Sequence, residues 1–374
     1  MNFFIIDQYY PKYLKSFYSV RSGRSSETYF AAGKRLMSGL FGTSDFYSFS
    51  LKKLGHKAIE VVANDANLQK LWVKEYLCNF NLSLGDQLLD KTLKKIGYLN
   101  DRLMSRWEER VLYEQIKKER PQIIYVQNIG FVSGHLLRKI KPLVKLVVGQ
   151  IASPIPPLLD CKAYDLIITS FPHFVPLFQK KGVACEYLKL AFEPKVLTKV
   201  GKTKKLYDLT FVGGISRAHK KGLELLNDLA ERRRIDVWGY GKNELDKKSK
   251  LYKYHHGEIW GKEMYRVLSE SKITINRHID VAENFANNTR LYESTGCGAM
   301  LITDKKKNLG EIFKIGKEIE TYGDINDLVA KINFYMTHPQ KRDSIARAGQ
   351  KRTLKDHNYL KRMGELVRII EKYL

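Results

Sequence analysis

The sequence predicts an α/β protein made of two doubly wound, Rossmann-like domains facing each other across a cleft. Three observations predict it. Short apolar runs alternate with helical patterns almost from end to end, the signature of βαβ units and parallel sheets. A basic stretch with neither period, from Glu193 to Tyr207, interrupts the alternation once. The 374 residues exceed the roughly 250–300 at which single cores stop growing.

The elements follow in order. "NFFIID" is a first strand, and a long polar and aromatic loop leads to the helix "SDFYSFSLKKLGH", which ends at Gly55-His56. The strand "KAIEVVAN" precedes a helical region from about Leu68 to Lys118. Strands "QIIYVQN", "LVKLVVGQI", "YDLIITS" and "CEYLKLAF" then alternate with the helices "GFVSGHLLRKI" and "FPHFVPLFQKKG", with a proline elbow "SPIPP" between the middle two. A second series restarts at "DLTFVGG" and runs through the helix "KKGLELLNDLAERR", the strand "IDVWGYG" and a polar insert. The helix "KEMYRVLSESK" and the strands "ITINRH" and "AMLITD" complete its sheet, and the tail from Ile325 is helical. The expected domains are residues 1–194 and 207–374, joined by a linker over 195–206.

Lys and Arg number 65 against 40 Asp and Glu, a formal net charge of +25, and such a field attracts nucleic acid, anionic lipid headgroups or phosphorylated molecules. Much of the charge sits in mixed runs that also suit a solvated surface. With 44% hydrophobic residues and no low-complexity tract, disorder and fibrous repeats are excluded. Cys78, Cys161, Cys185 and Cys297 are widely spaced, with no metal-ligand pattern, as in reduced thiols of a cytosolic protein. No window approaches the ~18 apolar residues of a spanning helix. The expected location is the cytoplasm, with attachment at most to the inner face of a membrane.

Ligands of open parallel sheets bind beyond the carboxyl ends of the strands, so residues there are the candidates. In "FVGGISRAHKKG", Gly213 and Gly214 end a strand, and Arg217, Lys220 and Lys221 approach a helix start, where free N–H groups and the dipole favour an anion. This suits a diphosphate; a glycine turn with surface cations is the other reading. In "IDVWGYG", Trp238 and Gly239 could wall a nucleobase pocket, although Trp238, Tyr240 and Trp260 also suit a core. In "NNTRLYESTGCGAMLIT", Asn287, Asn288 and Thr289 can cap a helix whose amides would hold phosphate oxygens. Glu293, one turn on, could accept paired hydrogen bonds from a ribose diol, or form a salt bridge with Arg290 at three-residue spacing.

The succession "FVGG…KKG", "VWGYG", "HGEIWGKEM", "NNTRLYESTGCGAMLITD" and "HPQKRDSIARAGQKRTLKDHNY" resembles GT-B fold glycosyltransferases with a group 1-like C-terminal domain, the spore-maturation and surface-polysaccharide type. The resemblance covers Asp208 to the C-terminus, and the N-terminal domain by architecture and by "YLKLAFEP". It implies a glycosyltransferase that moves a sugar from a nucleotide-diphosphate donor, UDP being favoured, to a glycan or lipid-linked acceptor on the N-terminal domain. It further implies retention of configuration and assembly of a surface glycan, with neither metal nor other cofactor. Under it, Arg217 and Lys221 hold the diphosphate, Glu293 holds the ribose, and the amides of the Asn287–Thr289 turn contact the distal phosphate. Relatives carry a second glutamate eight positions before the ribose glutamate, where this chain has Phe285, and an N-domain histidine, for which Gln150 and His173 are the catalytic candidates. A nucleotide-sugar epimerase or phosphorylase of the same fold, and a basic nucleic-acid-binding protein, are the rival readings; scattered positive charges argue against the last.

Overall fold

The computed structural model describes residues 1–19, 27–77, 104–215 and 220–374. Its chain divides into two compact units, Met1–Leu188 with Met363–Leu374, and Lys189–Arg362.

Among its described residues the first unit holds six strands: β1 Asn2–Asp7, β2 Lys57–Val62, β3 Ile123–Val126, β4 Leu146–Ile151, β5 Leu166–Thr169 and β6 Ala184–Tyr187. All pair in parallel in the order β2-β1-β3-β4-β5-β6. Every residue of β3 and β5 is buried, as strands covered by helices on both faces must be. Local chemistry sets the helix starts. Asp65 accepts from the amides of Asn67 and Leu68 ahead of Ala66–Tyr76, and Ser105 with Glu108 forms a capping box ahead of Arg106–Glu119. These two helices bound the helical region expected between Leu68 and Lys118; its middle, residues 78–103, lies outside the described residues.

The second unit holds β7 Tyr207–Val212, β8 Asp236–Trp238, β9 Ser271–Asn276, β10 Met300–Asp304 and β11 Glu320–Tyr322, parallel in the order β11-β10-β9-β7-β8. Its core packs Leu209, Ile273, Ile275, Met300 and Ile302 of the sheet against Leu226, Leu229 and Leu328 of the flanking helices. The edge strand β11 is a departure from the expected pattern, since three residues are too few to show a period of two.

The division also differs from the expected boundaries. Residues 189–206 group with the second unit. The stretch expected to be a linker forms the helix Lys195–Val200, and the Lys205 ammonium donates to the carbonyls of Ser269, Ser271 and Gly298 at 2.8, 2.8 and 2.9 Å. Three bonds from one cation hold this segment against the sheet. The last turns of the helix Tyr359–Glu371 belong to the first unit, where the Tyr373 hydroxyl donates to Glu186 Oε1 at 3.1 Å. Periodicity shows that a segment is helical; it does not show which sheet receives it.

Candidate functional site

A doubly wound sheet opens a crevice where its strand order reverses, because loops on the two sides diverge there. In the second unit the reversal falls between β7 and β9. A cavity of about 170 Å³ lies at that place, lined by Gly213 and Gly214 after β7, Arg277 and His278 after β9, and Asn288 and Arg290 at the next helix start. Gly222 and Leu223, in the first turn of the helix Lys220–Arg232, also line it. The volume is below the ~300 Å³ of a typical small-molecule pocket, so it suits one portion of a ligand.

Asn276 and Asn288 fix the geometry. Asn276, the last residue of β9, donates from Nδ2 to Thr303 Oγ1 at 2.8 Å and accepts from Asn288 Nδ2 at 2.9 Å. Asn288 also caps the helix Thr289–Gly296, its Oδ1 accepting from the Leu291 amide at 3.3 Å. The helix N-terminus is thereby tied to the end of the central strand and presented at the cavity. Two helix starts and two guanidinium groups around one cavity make a site for an anion.

The glycines serve a second purpose. The Gly213 amide donates to the Trp238 carbonyl, and the Ile215 amide to that of Tyr240, both at 2.9 Å, so the β7–β8 ladder continues into the loops. Gly239 has a φ of +146°, and a side chain there would strike the Gly213 carbonyl. Only glycine allows this approach of one loop to the other. Of the two readings of Trp238, a base-pocket wall or a core aromatic, the packing agrees with the second: the ring is 7% exposed, stacked on His256 at 4.4 Å and set edge-on to Tyr207 at 4.9 Å. It is engaged in packing and does not line the cavity.

Glu293 is buried one turn inside the helix. Its Oε2 accepts from Arg290 Nη1 at 2.7 Å and its Oε1 from the Tyr265 hydroxyl at 3.2 Å. The salt bridge open to the sequence is formed, and Glu293 reaches the cavity through Arg290 rather than by lining it. Asn287 is buried, its Oδ1 accepting from the Leu190 amide at 3.3 Å and the Tyr292 hydroxyl at 3.1 Å, so it secures the turn. Thr289 is exposed and lines the cavity; Lys221 is exposed and does not. Arg217 lies outside the described residues, as does the side chain of Lys220.

Arg277 and His278 escaped the sequence reading, which took "ITINRH" as a strand alone. Two cationic residue types at the end of a central strand were the signal. The Arg277 side chain is 22% exposed with Asp280 at 3.7 Å. His278 is held from Asp304, whose Oδ1 accepts from its backbone amide at 3.1 Å and lies 2.7 Å from its Nδ1.

In the first unit the catalytic candidates Gln150 and His173 both have neighbours within the same unit. Gln150 Oε1 accepts from the hydroxyls of Tyr47 at 2.9 Å and Tyr125 at 2.7 Å. His173 precedes the helix Phe174–Lys180, its ring against Phe171 at 5.5 Å and Phe174 at 4.8 Å. A group absent from the sequence reading stands at this sheet's own reversal, between β1 and β3. Thr43 donates to Gln127 Oε1 at 2.6 Å and lies 3.5 Å from Asp7 Oδ2. Burial pushes the Asp7 carboxyl up to about 7 despite hydrogen bonds from Gln8 and Thr43. Among the described residues, no group of three His, Cys, Asp or Glu is placed to hold a metal ion, and no helix is long and apolar enough to cross a membrane.

Residues 218–368 match a family described as glycosyl transferase-like. No curated protein matches the sequence. Among solved structures, the chain is similar to HepE of Anabaena in complex with UDP-glucose (13% identity, all of both chains covered, TM-score 0.56). It is similar to sucrose-phosphate synthase of Thermosynechococcus elongatus (12%, all of both chains, 0.56) and to a glycosyltransferase of Rickettsia africae (13%, 100% of this chain and 98% of that one, 0.57). With its two parallel Rossmann-like sheets the chain has the GT-B fold of these structures, and residues 218–368 carry the likeness to the glycosyl transferase-like family.

Proposed function

We propose that the protein transfers a sugar from a uridine-diphosphate donor, bound at the strand reversal of the second unit, to a glycan or lipid-linked acceptor, with retention of configuration and without a resident metal. One observation carries the reading: the cavity between the ends of β7 and β9 gathers Arg277, Arg290 and two helix N-termini. Cleavage of a sugar–phosphate bond builds negative charge on the departing diphosphate. Cations and amides already fixed in place stabilise that charge without reorganising, which is the main electrostatic task of such a reaction. Arg217 and Lys221, next to the helix start at Lys220, would add to the same field.

Uridine as the base follows HepE, solved with UDP and with UDP-glucose. Glu293 accepts from the ribose in this reading, sharing its carboxylate with Arg290, while the backbone beside Gly239 borders the base. Retention rests on the resemblance of the second unit alone, and Phe285 stands where relatives keep a second carboxylate. A cytoplasmic enzyme of surface-glycan assembly would use the net charge of +25 to meet an anionic membrane or acceptor.

The test is a thermal-shift screen of nucleoside diphosphates, followed by product analysis with the sugar nucleotides that stabilise the chain. UDP at about 100 times its Kd adds roughly 2.7 kcal/mol and raises the midpoint by several degrees. If no nucleoside diphosphate stabilises the protein, the reading fails; the anomeric configuration of the product decides retention.

A further inference from the structure

His278 goes beyond the donor clamp just described. Its side chain is 1% exposed, it lines the cavity, and its Nε2 has no hydrogen-bond partner among the described residues. An imidazole nitrogen buried without a partner is costly, so its place beside a cavity calls for a ligand. The other side of the ring is firmly held. Asp304 Oδ1 contacts both Nδ1 and the backbone amide, and accepts from Thr303 Oγ1 at 3.2 Å, while Lys306 Nζ lies 3.4 Å from Asp304 Oδ2. Burial pushes the Asp304 carboxyl upward, but His278 and Lys306 outweigh it and hold it below the usual carboxylate range. A carboxylate at Nδ1 fixes that nitrogen as the donor and leaves Nε2 for the cavity.

Sheet order says which part of a ligand Nε2 meets. From β8 the strands run β7, β9, β10, and His278 follows β9 while its anchor Asp304 ends β10. With the base on the β8 side, His278 stands past the first phosphate. We propose that His278 is a ligand-contacting residue whose protonated Nε2 donates to the β-phosphate of the donor, with Asp304 as its positioning residue. The inference rests on the reading of the cavity as a nucleotide-sugar site. The contact is a hydrogen bond from Nε2 to a phosphate oxygen, and no covalent bond changes.

Two substitutions separate contact from support. His278→Asn keeps a donor near the position of Nδ1, where Asp304 is, and removes the group at Nε2; His278→Gln does the reverse. Calorimetric titration of the full chain with UDP and with UMP reads the β-phosphate. For His278→Asn the inference expects UDP affinity to fall at least 10-fold and UMP affinity less than 2-fold, and for His278→Gln it expects UDP affinity within about 3-fold of the parent. Equal losses for UDP and UMP, an unchanged UDP-to-UMP ratio in His278→Asn, or a Gln variant weaker than the Asn variant would overturn it. So would a loss confined to UDP-glucose, which would assign Nε2 to the sugar. If His278→Asn does not fold, the phosphorus resonance of the β-phosphate of bound UDP, followed against pH in the parent and in His278→Gln, decides. A titration seen in the parent alone supports the contact, and identical profiles refute it. If the parent binds neither nucleotide, the donor reading itself fails.

Discussion

The two sheets reverse strand order at equivalent places and fill them differently. In the first unit the reversal between β1 and β3 holds Asp7 and Gln127 each in hydrogen-bonding range of Thr43, with an Asp7 carboxyl that burial pushes up to about 7. In the second the reversal between β7 and β9 holds a cavity, two arginines, a histidine and a helix start. A place built from hydrogen-bonding groups with a proton to hold or release suits hydroxyls. One built from fixed cations suits phosphate. The contrast teaches that one topology supplies the position in both units, and that side-chain charge decides what the position can take.

Breaking each side of this contrast produces effects of different size. The largest is expected at Asp7. Its folded carboxyl titrates near 7 and its unfolded one near 3.8, so between these values the native state keeps a proton that the unfolded chain has lost. Stability is fully present below the lower value and falls as pH rises through the upper, by up to about 1.4 kcal/mol per pH unit and about 4 kcal/mol in all. Asp7→Asn should flatten that dependence in melts between pH 4 and 8; an unchanged slope would show that the carboxyl is already ionised at low pH.

Glu293→Ala comes next. It leaves the largely buried Arg290 guanidinium without its carboxylate and should cost about 3 kcal/mol in urea unfolding, while weakening UDP as well. Arg277→Glu then reverses a cation at the cavity whose neighbour Asp280 is half exposed. UDP affinity should fall about 100-fold, or about 2.7 kcal/mol, with the melting point within about 2 °C of the parent. The smallest effect belongs to Gln150→Leu, which removes the acceptor shared by Tyr47 and Tyr125 and should cost about 1–2 kcal/mol of stability with UDP binding unchanged.

Much of this organisation was legible before any coordinates. Strand runs such as "NFFIID" and "AMLITD" carry their own burial, and the reading of "NNTRLYES" as a capped helix start agrees with Asn288 capping Thr289–Gly296. What escaped depended on which loops meet. Arg277 is six residues past the start of β9 and gains its meaning only when the helix at Thr289 is laid beside it. Trp238 stayed open between a base pocket and a core because the sequence does not show that His256 covers its face. Gln150 looked available because its two tyrosine donors lie 103 and 25 residues away in the chain. Lys205 appeared to be one cation of a linker because its three carbonyl partners come from two later segments.

The central claim is that nucleotide binding belongs to the strand reversal of the second unit. Calorimetric titration of UDP into the parent, Arg277→Glu and Gln150→Leu tests it most directly. The account predicts saturable binding to the parent, the same affinity in Gln150→Leu, and an affinity about 100-fold weaker in Arg277→Glu. Equal binding by all three proteins, or a loss in Gln150→Leu with Arg277→Glu unaffected, would contradict it.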